Sequence, residues 1–326
     1  MSLSPTSNLS SPTVLRDLLH RHGIRVKKRL GQHFLTDRNI LNRMTEAADL
    51  SKESLVLEIG PGPGVLTREL ASAAHFVTTI EYDRSMLPVL QESTAPAGNV
   101  RIVRADAVRL LESTPLPTLF QTDLPGDLES IEPRNAWRPS PIAEASVTCV
   151  SNLPYAITSP VIAALVTQQA WLRTMVLMIQ SEVADRLLAK SGSGSYGAFT
   201  VFVSYFTRVE RVMDVSRTCF TPPPGVDSAI VKLTPARGGT VPTRDASRLV
   251  AVSRALFGQR RKHAANALRA LPDGPSREMI AEALESVGIA PTARGEELSL
   301  EKIAELADAL PPVSAARGRC AECGNS

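Results

Sequence analysis

The 326-residue chain lacks any apolar run that approaches the roughly 18 residues needed to cross a membrane. Its first residues, MSLSPTSNLSSP, contain no apolar core of the kind found in secretory signals. A strong net charge is also absent, since the formal charge is only +3. We therefore expect a cytoplasmic protein without a membrane partner, and the net charge alone does not establish a nucleic-acid partner.

Cysteine is scarce, and four residues in a chain of this length do not make a disulfide framework. Cys149 and Cys219 lie in apolar sequence. Cys320 and Cys323 form a single Cys-x-x-Cys pair, which is half of a zinc site, and no second pair of suitable spacing follows it. We therefore predict no metal site.

The composition is that of a globular protein, with 43% hydrophobic and 21% charged residues. The length favours two domains rather than one. We divide the chain into four parts. A partly disordered N-terminal extension (1–25) precedes an α/β domain (26–240) with an inserted surface loop (113–145). A helical domain (241–312) and a tail (313–326) follow.

Strands and helices alternate from residue 54 onward, which predicts parallel β-α-β units. The insertion at 113–145 is rich in proline and has little periodicity, so we interpret it as a surface loop. The apolar stretch FTVFVSYFTRVERVMDV predicts a strand and adjoining structure. From about Thr243 the pattern changes to amphipathic helices.

Three predicted strands end in groups suited to a nucleoside. Gly60, Gly62 and Gly64 follow the first strand, where glycine permits a tight turn and close approach of a ligand. Their spacing departs from the dinucleotide fingerprint G-x-G-x-x-G. Glu81 ends the second strand, where a carboxylate accepts ribose hydroxyls, and Asp106 ends the third, where it accepts from an adenine amine. The alternative is that either acid caps the next helix.

A fourth predicted strand ends in Asn152-Leu153-Pro154-Tyr155. The amine of adenine is a poor nucleophile because its lone pair is delocalised into the ring. The Asn152 side-chain oxygen and the Leu153 carbonyl are suited to accept its two hydrogens, while Pro154 fixes the turn. Tyr155 offers a ring on which a flipped base stacks. The alternative is an Asx-Pro turn with a packed tyrosine.

Six segments occur in an order that carries a specific resemblance: KKRLGQHFL, EIGPGPGVLT, IEYD, ADA, NLPY and CFTPPPGVDSAIV. Over about 26–266 the chain resembles the KsgA/RsmA ribosomal RNA adenine N6-dimethyltransferases. The resemblance implies an α/β fold, a Rossmann-like class I S-adenosylmethionine-dependent methyltransferase domain followed by a small all-helical domain. It also implies N6,N6-dimethylation of two adjacent adenines near the 3′ end of small-subunit (16S) rRNA, within an immature subunit. We expect a monomer.

The resemblance also assigns roles to residues. It places eight at the cofactor: His33, Leu35, Gly60, Gly62, Gly64, Glu81, Asp106 and Asn152. The family often has Asn at the position of His33, although a histidine can still donate a hydrogen bond. It places five at the target base: Asn152, Leu153, Pro154, Tyr155 and Phe220, with Phe220 sandwiching the base opposite Tyr155.

Two basic clusters are expected to face RNA. Residues 16–29 hold six Lys or Arg against one acid, and residues 254–269 hold five and no acid. Within the second cluster, Arg260, Arg261 and Lys262 match the family's basic segment at the start of the helical domain. The alternative is that both clusters are solvated helix faces.

Three competing functions share parts of this pattern. An Erm-type methyltransferase of large-subunit rRNA would use the same arrangement of site residues. The complete FTPPPGVDSA segment and the extended helical domain favour the small-subunit enzyme. A ribosome-assembly factor with secondary methylation is the second alternative. A nicotinamide-dependent oxidoreductase is disfavoured by the glycine spacing.

Overall fold

The computed structural model describes residues 8–24, 32–121, 124, 128–133, 146–259, 262–272 and 274–310. The chain divides into two compact units. The first comprises Met1–Leu188 and Phe206–Arg237, and the second comprises Ala189–Tyr205 and Gly238–Ser326. This division places 189–205 with the helical part, an assignment that our sequence-based domain limits did not make.

Ten strands are present in the described residues, all in the first unit. In chain order they are β1 (Phe34–Leu35), β2 (Leu55–Ile59), β3 (Phe76–Glu81), β4 (Val100–Arg104), β5 (Glu129–Ile131), β6 (Val147–Asn152), β7 (Leu172–Gln180), β8 (Thr207–Val215), β9 (Phe220–Thr221) and β10 (Ser228–Pro235).

The main sheet has the order β5-β4-β3-β2-β6-β7-β10-β8. Strands β4, β3, β2, β6 and β7 run parallel, whereas β5, β10 and β8 pair antiparallel at the two sides. After β2 the chain builds outward through β3 and β4, and it then returns to the other side of β2 with β6. The strand order therefore reverses between β2 and β6, and ligands bind at the carboxyl ends of strands at such a point.

Twelve α-helices accompany the strands in the described residues. They are α1 (Pro12–Arg21), α2 (Arg38–Ala48), α3 (Val65–Ala73), α4 (Leu87–Thr94), α5 (Ala107–Ser113), α6 (Thr158–Thr167), α7 (Ser181–Leu187), α8 (Ala198–Phe206), α9 (Ala246–Gly258), α10 (Ala264–Ala267), α11 (Arg277–Ser286) and α12 (Leu300–Ala309). The predicted α/β alternation and the change to helices after Thr243 are confirmed.

Local sequence explains the helix starts around the sheet. Asp37 begins α2 because its carboxylate accepts hydrogen bonds from the amides of Asn39 and Ile40. The central strands β2 and β3 read as nearly continuous apolar runs, since parallel strands are covered on both faces.

The N-terminal extension, which we expected to be partly disordered, contains α1. This helix begins at Pro12, and Leu9 before it is buried. Leu15 and Leu18 on α1 belong to the same apolar core as the sheet residues Val56 and Val77. Burial of this leucine face explains the helix, because hydrophobic packing outweighs the Ser/Pro-rich composition of the preceding residues.

The inserted region also departs from the prediction of a surface loop. Its described part contains a 3-10 helix, Leu116–Phe120, with buried leucines, and the edge strand β5. Arg101 on β4 holds this region, because its guanidinium donates to the carbonyls of Leu119 and Gln121 and pairs with Glu132. These contacts join segments that are distant in the chain, and local hydrophobic periodicity carries no information about such contacts.

The stretch FTVFVSYFTRVERVMDV, which we predicted as a strand with adjoining structure, begins as a helix. Its first part forms α8 (Ala198–Phe206), and only the second part forms β8. Phenylalanine and valine favour strands as isolated residues. Here Val201, Val203 and Tyr205 are buried, and this tertiary packing overrides local propensity.

The second unit is helical, with buried apolar side chains on α9, α11 and α12. Among the residues that the structure describes, no helix is long and apolar enough to span a membrane.

Candidate active site

A cavity of about 230 Å³ opens at the carboxyl ends of β2, β3, β4 and β6, at the reversal of strand order. All of its walls come from the first unit. They are formed by 32–35, by 58–66 without Gly64, and by 80–83, 105–107 and 152–157. The four strand ends singled out by the sequence therefore meet in one place.

The glycine loop after β2 approaches the wall opposite it very closely. Gly60 has φ of +69°, and a Cβ built there would lie 2.7 Å from Cγ of Pro154. Gly62 has φ of +55°, and its amide donates to Glu81 at 3.1 Å. Glycine is required at both positions because L residues rarely adopt this backbone conformation.

Gly64 does not line the cavity, so its predicted contact with a cofactor has no support in this structure. It is the N-cap residue of α3 with φ of +85°, and an added Cβ would lie 2.6 Å from the Ser93 hydroxyl. The third glycine therefore serves the close packing of α3 on α4 rather than the ligand loop.

Glu81 is 7% exposed at the end of β3. One carboxylate oxygen accepts from the Gly62 amide at 3.1 Å and the other from the Asp83 amide at 2.7 Å. Burial raises the pKa of Glu81, while these backbone donors act in the opposite direction. The bonds fix the carboxylate at the cavity wall.

Asp106 is positioned for both roles that the sequence left open. Its Oδ1 caps α5 by accepting from the amides of Val108 and Arg109, at 3.0 and 3.2 Å. Because both bonds end on Oδ1, the lone pairs of Oδ2 are available to a ligand. Asp106 also lines the cavity, so capping and ligand binding do not compete for the same oxygen.

Glu58 is a cavity residue that the sequence reasoning missed. It is 2% exposed on β2, and no hydrogen-bond partner reaches its Oε2 among the described residues. Burial raises the pKa of Glu58 to about 8, and the nearby charge of Glu81 adds to the effect. The signal was present in the sequence, since a single acid interrupts the apolar strand LVLEIG.

Asn152 ends β6, and its side-chain amide donates to the main-chain oxygen of His33 at 3.3 Å. A carbonyl only accepts hydrogen bonds, so this contact uses the NH₂ group and leaves Oδ1 as an acceptor. The next residue, Leu153, is buried and its amide donates to Met178 on β7 at 3.1 Å. The turn is therefore anchored to the sheet on one side and to the segment of His33 on the other.

Tyr155 is held by two further contacts. Its hydroxyl lies 2.7 Å from the hydroxyl of Ser228, the first residue of β10. The ring of His33 stacks against it, with centroids 5.8 Å apart and planes inclined by 28°. Burial raises the pKa of Tyr155 and the charge of Asp227 adds to this, so the phenol stays neutral at physiological pH.

Phe220 does not reach the cavity, contrary to the predicted sandwich opposite Tyr155. It is 2% exposed and lies opposite Leu35 in the pairing of β9 with β1. The phenylalanine belongs to the apolar core around the sheet. This two-stranded pairing joins segments far apart in the chain and was not visible in the sequence.

Leu35 and His33 line the cavity as expected. The remaining wall includes Gln32, whose side chain donates to Asp83 at 2.9 Å, and neither of these residues was predicted. Of the basic triplet, Arg260 and Arg261 lie outside the described residues. Lys262 is exposed in the second unit.

The single Cys-x-x-Cys pair, Cys320 and Cys323, also lies outside the described residues. Among the residues that are described, no group of three or more His, Cys, Asp or Glu side chains is arranged to hold a metal ion.

Comparison with known proteins identifies the family. The model of "Ribosomal RNA adenine dimethylase" matches residues 23–310, most of the chain. The chain belongs to the ribosomal RNA adenine dimethylase family. "Ribosomal RNA small subunit methyltransferase A" of Pelotomaculum thermopropionicum is 40% identical over 302 residues, which cover 93% of this chain and 97% of that protein.

Two solved structures of related enzymes share the fold. A dimethyladenosine transferase from Plasmodium falciparum superposes with a TM-score of 0.65 at 26% identity, covering 84% of this chain and 96% of that one. The 23S rRNA methyltransferase ErmE gives 0.59 at 27% identity, covering 85% and 99%. The predicted class I methyltransferase fold of this rRNA adenine dimethylase is thereby confirmed.

Proposed function

We propose that this rRNA adenine dimethylase transfers methyl groups from S-adenosylmethionine to the N6 amines of two adjacent adenines near the 3′ end of small-subunit rRNA. The observation that carries the proposal is the meeting of two anchored carboxylates, Glu81 and Asp106, with the Asn152–Tyr155 turn around one cavity. The small-subunit name of the 40% identical relative supports the choice of RNA.

The cavity residues fit the cofactor. Glu81 is suited to the ribose hydroxyls and Oδ2 of Asp106 to the adenine amine. Gly60 and Gly62 leave space that a Cβ would occupy, and Oε2 of Glu58 has no hydrogen-bond partner among the described residues, which leaves it available to a donor on the cofactor. The cofactor supplies a methyl group activated by a positively charged sulfonium.

Asn152 has the central role in handling the amine. With its NH₂ group donating to His33, its Oδ1 accepts from the N6 hydrogen and favours a pyramidal nitrogen. The nitrogen lone pair then points at the methyl carbon. No general base is required, because the amine gives up its proton only after attack.

The reaction balances without a further reactant. Bound S-adenosylmethionine would supply an electrophilic methyl group and keep the electrons of the broken bond on sulfur, and the methylated amine would lose its proton to water. A second round uses an amine with one remaining hydrogen. Only one of the two acceptors, Asn152 or the Leu153 carbonyl, is then engaged.

An immature small subunit is the proposed substrate, with methylation coupled to subunit biogenesis. The exposed Lys262, together with Arg260 and Arg261, supplies positive charge for the RNA backbone. The proposed enzyme acts as a monomer in the cytoplasm.

The deciding experiment incubates the protein with small subunits from a strain that lacks the modification, using labelled cofactor. Nucleoside mass spectrometry of the separated rRNAs is expected to detect N6,N6-dimethyladenosine in small-subunit rRNA. Label in large-subunit rRNA alone would favour an Erm-type activity. Tight subunit binding without label would favour an assembly role.

A further inference from the structure

His33 contacts residues at three other positions of the chain, two of which line the active-site cavity. Its ring Nδ1 lies 2.9 Å from the main-chain oxygen of Pro222, in the loop before β10. Its own main-chain oxygen accepts from the Asn152 amide at 3.3 Å. Its ring stacks on Tyr155 at 5.8 Å. One residue therefore touches both groups that handle the target base.

The bond to Pro222 fixes the imidazole. A carbonyl oxygen only accepts, so Nδ1 carries the proton and donates it. This hydrogen bond restrains rotation of the ring about its side-chain bonds. A restrained ring stacked at 28° covers one face of Tyr155 and limits the positions that the phenol ring can adopt.

The second restraint on Tyr155 comes from Ser228, which is completely buried on β10 and bonds the phenol oxygen at 2.7 Å. The tyrosine is thus held at its hydroxyl by Ser228 and at one face by His33. Phe220, buried in the core, takes no part in this arrangement. Among the described residues, the ring stacked on Tyr155 is that of His33.

We propose that His33 is a positioning residue for the target adenine. Its imidazole backs the Tyr155 ring so that the base stacks on the other face, and its carbonyl sets the direction of Asn152. The inference rests on the proposed function. It assigns the His33 side chain to the base rather than to the cofactor, and the two assignments predict different kinetics.

Two substitutions separate the contacts of the ring. His33→Asn keeps a side-chain donor for Pro222 but removes the ring, whereas His33→Phe keeps a ring for Tyr155 but removes the donor. Both retain the main-chain carbonyl that orients Asn152. His20→Asn, at an exposed position of α1, is the matched control. Circular dichroism and thermal melting check that each variant folds.

With undermethylated small subunits as substrate we measure kcat, KM and the ratio of mono- to dimethyladenosine. Calorimetry gives the cofactor Kd of each variant. For His33→Asn we expect kcat to fall on the order of tenfold or more, since small misplacements of reacting groups are costly. Monomethyladenosine should accumulate, and the cofactor Kd should stay within about threefold. His33→Phe should recover most of the turnover.

Other outcomes overturn the inference. A cofactor Kd that weakens in parallel with kcat would make the side chain a cofactor ligand. An active His33→Asn, or an inactive but folded His33→Phe, would show that the ring stack is not the operative contact. A wild-type protein that methylates no adenine would instead defeat the proposed function, which is a separate result.

Discussion

The hydroxyl of Tyr155 lies 2.7 Å from the hydroxyl of Ser228. This bond joins the turn after β6 to the start of β10, and β7 separates these two strands in the sheet. The ring proposed to receive the target base is therefore fixed by a residue on a different strand. Its position depends on the tertiary structure and not on the turn alone.

The Tyr155–Ser228 bond is testable by a double-mutant cycle. Ser228→Ala and Tyr155→Phe each remove this bond, and each is expected to lower the free energy of unfolding by about 1 kcal/mol. The double variant should cost little more than either single one, because the same bond is lost. Urea unfolding and kcat are measured for all four proteins. Additive losses would contradict a direct bond.

Substitution of Gly60 should disturb the active site more than its backbone angle alone predicts. Gly60→Ala combines a φ of +69° with a Cβ 2.7 Å from Pro154, whereas Gly23→Ala has a similar φ of +65° and no heavy atom within 4 Å. We expect Gly23→Ala to cost about 1 kcal/mol and Gly60→Ala to cost more and to weaken cofactor binding. Thermal melts measure the loss of stability of each variant, and calorimetry measures its cofactor affinity. Equal effects of the two substitutions would argue against close contact with Pro154.

Glu58 predicts a pH-dependent stability. Burial raises its pKa from 4.5 to about 8, so between these values the folded state holds a proton that the unfolded state has lost. The resulting stabilisation is present below pH 4.5 and is lost as the pH rises through about 8. Glu58→Gln, which mimics the neutral acid, should therefore gain in Tm relative to the wild type as the pH increases.

The measurement for Glu58 is a series of thermal melts without cofactor from about pH 5 to about pH 9. The difference in Tm between variant and wild type should widen up to about pH 8 and then level off. A difference that stays constant over this range would mean that the carboxyl is ionised throughout.

Asn152→Ala should separate binding from chemistry. We expect cofactor affinity to remain within several-fold while methylation falls on the order of a hundredfold or more, because the amine loses the acceptor that orients it. Asn42→Ala, at an exposed position of α2, is the control. The readouts are cofactor calorimetry and single-turnover methylation. Equal losses of binding and methylation would reject the orienting role.

The basic triplet is tested by salt dependence. Replacing Arg260, Arg261 and Lys262 together with Gln should weaken rRNA binding and reduce the slope of log K against log salt by up to about 2 to 3. Binding is measured by filter retention at several salt concentrations. If the slope is unchanged, the cluster is a solvated face and the RNA contacts lie elsewhere.

Much of the first unit was predictable because its signals are local. The apolar strands β2, β3, β4 and β6 each end in a glycine or a polar residue, and parallel strands bring such ends to one edge. Glu81, Asp106 and Asn152 were placed at the cavity for this reason, and the structure has all three on its wall.

The errors came from contacts between distant segments. Phe220 follows the right motif, yet pairing of β9 with β1 turns it into the core. Gly64 belongs to the same glycine loop as Gly60, but close packing of α3 on α4 requires it there. In both cases the local pattern is correct and the neighbour that decides the role lies far away in sequence.

The sequence by itself determined the alternation of strands and helices around β2, β3, β4 and β6, the glycine loop and the turn at Asn152, because periodicity and turn chemistry act over a few residues. Only the tertiary structure decided that His33, and not Phe220, lies against Tyr155. It also decided that Glu58 is a buried carboxyl with an orphaned oxygen. Stacking and burial depend on which distant segments pack together, and that information is absent from any short stretch of chain.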